Sequence, residues 1–91
     1  ALAPEHMGSL VEKARENLDD VVRRAREAGI EVETFLREGD PHEQITRVAG
    51  ETGASIIMMG THGRKGLRRL LMGSVTERTI GYAQCPVIII H

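Results

Sequence analysis

The run Ser55-Ile56-Ile57-Met58-Met59 constrains this chain more than any other stretch. It is apolar on both alternating faces, a pattern that suits a strand covered on both sides inside a parallel sheet. It ends in Gly60-Thr61-His62-Gly63, and Gly73-Ser74-Val75-Thr76 follow, giving the spacing Gly-x2-Gly-x9-Gly-Ser. Glycines at a strand's end, then a Gly-Ser pair opening a helix, expose bare backbone N–H groups. An anionic phosphate needs close approach, donors and a helix N-terminus. The spacing is not the Gly-x4-Gly-Lys-Ser/Thr of the P-loop. It also lacks the Gly-x-Gly-x2-Gly of the dinucleotide-binding fold.

The rest of the chain alternates between helix and strand signals. Residues 1–8 read as a loop or a remnant of one. Ser9 with Glu12 forms a capping box, and Leu10, Val11, Ala14, Leu18, Val21, Val22, Ala25 and Ala28 then share one helical face. Gly29 stops this helix. Ile30, Val32, Thr34 and Leu36 alternate with Glu31, Glu33, Phe35 and Arg37, which predicts a strand with a polar outer face. Asp40 as N-cap, Pro41 at the first helical position and Glu43 start a second helix, ended by Gly53. Residues 67–72 read as a helical lead-in, and a third helix spans about 74–84. Cys85-Pro86 ends it, because the residue before proline avoids the helical region. Val87-Ile88-Ile89-Ile90 is the last strand. The order α-β-α-β-α-β implies an α/β fold with a parallel sheet.

Composition narrows the function. The 91 residues make one small domain, placed at 9–91. Hydrophobic residues are 41% but aromatics only 2%, so the core is aliphatic and offers little on which bases could stack. A net charge of −1 gives no global attraction to nucleic acid or to an anionic membrane. No apolar run approaches the about 20 residues that span a bilayer. The single cysteine, Cys85, excludes an internal disulfide and fits a buried small hydrophobe. The first residues show no secretory leader, so the expected location is cytoplasmic. His6, His42, His62 and His91 have no metal-ligand spacing, and no metal site is expected. No nucleophile, base and orienting acid stand in usable order. Arg64, Lys65, Arg68 and Arg69 form the one basic cluster, a solvated flap whose first two members are close enough in sequence to assist phosphate charge.

Four blocks taken together, Gly39-Asp40-Pro41, residues 56–63, Leu71-Met72-Gly73-Ser74-Val75-Thr76-Glu77 and Cys85-Pro86-Val87, resemble the universal stress protein family. The resemblance runs from about residue 9 to 91. It implies a Rossmann-like (adenine nucleotide alpha hydrolase-like) sheet with strand order 3-2-1-4-5, here lacking the first strand-helix-strand unit. It implies ATP, with or without Mg²⁺, as ligand, and a homodimer paired through Val87, Ile88, Ile89 and Ile90. Position by position, Met59 and Gly60 would line the pocket. Gly60, Gly63 and Gly73 would let the backbone approach the nucleotide. Ser74, Val75 and Thr76 would donate at the helix start, with Arg64 nearby. Any ATP hydrolysis would be slow, because no P-loop lysine, metal-holding aspartate and base can be identified. The alternative is a dimerisation or interaction module that binds no nucleotide. In the family order, the strands at 30–37 and 55–59 are separated by the two absent strands. Those strands would be supplied by residues outside this sequence or by a partner, or else the three strands present would close up directly.

Overall fold

A computed structural model describes residues 4–60 and 66–90, and the side chains of 8–60 and 73–90. Its elements are α1 (Pro4–Glu27), α2 (Pro41–Thr52), β1 (Ile57–Gly60), α3 (Gly66–Tyr82) and β2 (Val87–Ile90). They divide between two compact units, Ala1–Leu36 and Arg37–His91.

In the first unit, α1 begins at Pro4, ahead of the capping box at Ser9, so residues 4–8 are helical and not a loop. Proline's fixed φ suits the first helical position. Val11, Ala14, Leu18, Val22 and Ala25 form a half-buried stripe, narrower than the periodicity predicts, since Leu10, Val21 and Ala28 are exposed. The helix ends as expected at Gly29, whose φ is 74°. The Gly29 N–H donates to the Arg26 carbonyl at 3.0 Å and the Ile30 N–H to the Ala25 carbonyl at 2.8 Å. This paired closure needs a left-handed residue, which glycine adopts without a Cβ clash.

Residues 30–37 are not a strand, although their alternation predicts one, and all are exposed. Alternation sets which face a strand would bury, but a strand exists only with a ladder partner. The two strands of the sheet pair with each other. Direct closure of three strands is therefore not adopted.

In the second unit, β1 and β2 run parallel in the register Ile57↔Val87, Met58↔Ile88, Met59↔Ile89 and Gly60↔Ile90. The α3 crossover is what a parallel pair requires. One face of the pair carries Ile57 and Met59, both buried, with Val87 and Ile89 half-buried beside them. Met58, Ile88 and Ile90 on the other face are exposed. α3 packs against α2 and touches β2, and its Thr76 and Thr79 are buried. Among the described residues the core is thus small and aliphatic, with two threonines in it. α2 closes at Gly53, φ 66°, by the same paired hydrogen bonds that close α1.

Candidate functional site

The carboxyl end of β1 is where the sequence places phosphate binding. Gly60 closes that strand without a positive φ, and among the described residues a Cβ built on it meets nothing within 4 Å. Neither turn geometry nor neighbouring atoms therefore require glycine there. Met59 is 7% exposed and belongs to the covered face, so its side chain fills the core and does not line an open pocket. Gly63 and Arg64 lie outside the described residues.

Gly73-Ser74-Val75-Thr76 differs from expectation. α3 starts at Gly66, not at Ser74, so these residues lie inside a continuous helix. At about 1.5 Å rise per residue, Ser74 sits two turns from the helix start. Its N–H and those of Val75 and Thr76 point along the helix to the carbonyls four residues back, leaving no free cradle in this conformation. The cause is local: Leu67, Arg68, Arg69, Leu70, Leu71 and Met72 are strong helix formers, and a single glycine interrupts them only weakly.

Thr76 has a further peculiarity. Its hydroxyl is buried and, among the described residues, has no hydrogen-bond partner. Thr46, Thr52 and Thr79 each donate to the carbonyl four residues back, at 2.9, 2.8 and 2.7 Å. A buried orphan hydroxyl among back-bonded threonines is a local defect of the long helix.

A cleft of about 830 Å³ lies elsewhere in the second unit, lined by residues of α2, the 53–57 segment and residues 82–85. None of the described residues assigned to phosphate contributes to it. His42 sits at its edge with a side chain only 12% exposed, Nδ1 3.1 Å from Asp40 Oδ1. Its ring centroid is 5.4 Å from that of Tyr82. Sequence reasoning treats His42 as first-turn surface and does not find this cleft. The available signal is that the one tyrosine stands at the end of α3. Asp40 is the N-cap as expected, but its carboxylate makes no capping hydrogen bond and faces His42 instead. Potential ligand atoms of Asp40, His42 and Glu43 lie within 4.8 Å of one another, though both carboxylates are exposed. Cys85 is half-buried and lines the cleft.

A bidentate pair fixes the start of this unit to α2. Arg37 Nη1 and Nη2 donate to Glu51 Oε1 and Oε2 at 3.2 and 2.6 Å. The Arg37 hydrogen bond holds the Glu51 carboxyl below its ordinary value, outweighing partial desolvation, with the Arg37 and Arg47 charges acting in the same direction.

Parallel strands joined by a helical crossover, with a further helix against that crossover, define an α/β protein of Rossmann-like type. The model of the universal stress protein family matches residues 2–91, and the chain belongs to that family. It is similar to universal stress protein MJ0577 of Methanocaldococcus jannaschii, 34% identical over 94% of this chain and 53% of that protein. It is also similar to universal stress protein MJ0531 of the same organism, 42% identical over 89% of this chain and 48% of that one. The solved structure of the MJ0577 protein superposes with a TM-score of 0.79, covering 94% of this chain and 60% of that chain. The chain thus spans about half the length of the curated relatives it matches.

Proposed function

We propose that this universal stress module binds adenine nucleotide, ATP in the first instance, and acts as a homodimer in stress response or signalling. The observation that carries the reading is Gly60: a glycine at the carboxyl end of a parallel strand, with no atom of the described residues where a side chain would stand. Ligands of open α/β sheets bind outside that end of the strands. Gly60, Gly63 and Gly73 keep the approach clear, Arg64 adds charge, Ser74 offers its hydroxyl, and Val75 and Thr76 donate to phosphate once their amides are free. Met59 contributes main chain only. The segment 59–76 contains no Asp or Glu, so the residues present do not fit a protein-held Mg²⁺; the ion would enter on the triphosphate. With no base or metal-holding acid assigned, the module is a binder or switch. The proposed setting is the cytoplasm; no helix among the described residues is long and apolar enough to cross a membrane.

The dimer is proposed through β2. The Ile57 N–H donates to the Pro86 carbonyl at 2.9 Å, which fixes the phase of the parallel ladder. In that phase the main-chain groups of Val87 and Ile89 turn to the edge away from β1. Ile89→Pro therefore removes a donor from the open edge and none from the ladder. Sedimentation should show the dimer weakened at least tenfold, with β1 and β2 still paired. An unchanged dimer places the interface elsewhere.

Calorimetric titration tests the nucleotide half. Gly60→Val meets no neighbour and adds a good strand former, so folding should hold while ATP affinity falls at least tenfold. Equal affinity in wild type and variant overturns the assignment. The helical state of Ser74, Val75 and Thr76 favours the second reading, a dimerisation module without nucleotide. A persistent dimer with no heat of ATP binding would establish it.

A further inference from the structure

We propose that α3 has two start points, Gly66 and Ser74, and that phosphate binding selects the shorter helix. This rests on the nucleotide reading above and adds a conformational step to it. Three independent features mark the second start. Ser74-Val75-Thr76-Glu77 is a capping-box sequence, a pattern that belongs at a helix N-terminus and here lies in the interior of one. Gly73, directly before it, has neither a positive φ nor a neighbour that would exclude a side chain, and mid-helix glycine disfavours the long form. The Thr76 hydroxyl, on a residue 8% exposed, is left without a partner in the long form.

The first two defects disappear when the helix begins at Ser74. The Ser74 hydroxyl then accepts from the Glu77 N–H, and the Glu77 carboxylate accepts from the Ser74 N–H. Gly73 leaves the helix, where its flexibility has no cost. The amides of Val75 and Thr76 lose their carbonyl partners at 71 and 72 and become first-turn donors, available to an anion. Residues 66–73 leave the helix. The long helix is retained without ligand by the strong helix formers between 67 and 72. Nucleotide affinity is then reduced by the fraction of chains already holding the short form.

Paired variants at Arg69 isolate this step, because Arg69→Ala and Arg69→Gly lose the same charge and differ in helix preference. The Gly variant weakens only the long helix and should bind ATP about fivefold more tightly than the Ala variant. Amide exchange supplies the second readout. Saturating ATP should lower protection of the amides at 70–73, whose acceptors lie in 66–69, and leave 78–82 protected. Two variants of equal ATP affinity with unchanged exchange at 70–73 overturn the two-start helix and leave nucleotide binding standing. Absence of ATP binding in wild type and both variants overturns the nucleotide reading and this inference together.

Discussion

Replacing Thr76 with valine should make the second unit more stable. The side chain is 8% exposed and its hydroxyl has no partner, so the folded state carries an unrecovered desolvation cost. Such a group costs about 1–3 kcal/mol. Valine has nearly the same shape and a similar helix preference. Thr76→Val should therefore gain about 1–2 kcal/mol, which raises the melting temperature by roughly 5–10 °C in a domain of this size. Thr79→Val is the control. Thr79 is fully buried but donates to the Val75 carbonyl at 2.7 Å. Losing that bond should cost about 1 kcal/mol. Urea unfolding can be followed at Tyr82, the chain's only tyrosine in the absence of tryptophan, which reports on the unit containing both threonines. Equal changes in the two variants, or destabilisation by Thr76→Val, would refute the orphan hydroxyl and remove one support for the two-start helix.

Two glycines of one helix should respond in opposite directions to alanine. Gly53 has φ 66°, where a Cβ costs about 1–2 kcal/mol, whereas Gly50 lies within α2 facing open space, and alanine there gains up to about 1 kcal/mol; thermal melts of both variants check this. Arg37→Ala should raise the Glu51 pKa towards its ordinary value, seen by carboxyl NMR titration. Because the folded-state pKa is lowered, the pair stabilises above the ordinary pKa of Glu51, and that contribution is lost as pH falls through the lowered value. The variant's stability should lose this part of its pH dependence.

The parallel pairing of β1 and β2 was legible because Ile57, Met58, Met59 and Val87 to Ile90 leave no polar alternative, and glycine and proline punctuate both runs. Gly29 and Gly53 were legible as helix ends for a similar reason, since a left-handed closure strongly favours one residue type. Residues 30–37 misled because alternation encodes a buried face and says nothing of a hydrogen-bonding neighbour. The start of α3 misled because local signals conflict: Gly73, Ser74 and Glu77 mark a beginning, while Leu67 to Met72 favour helix. His42 and Tyr82 are forty residues apart in sequence, and nothing in either segment announces that their rings meet.

Titration of the chain with ATP, followed by its amide chemical shifts, locates the nucleotide. Saturable shifts are expected at Gly60 and at Ser74, Val75 and Thr76, with the cleft lined by His42, Arg47 and Tyr82 unmoved. Shifts confined to that cleft, or a spectrum indifferent to nucleotide, would contradict that placement.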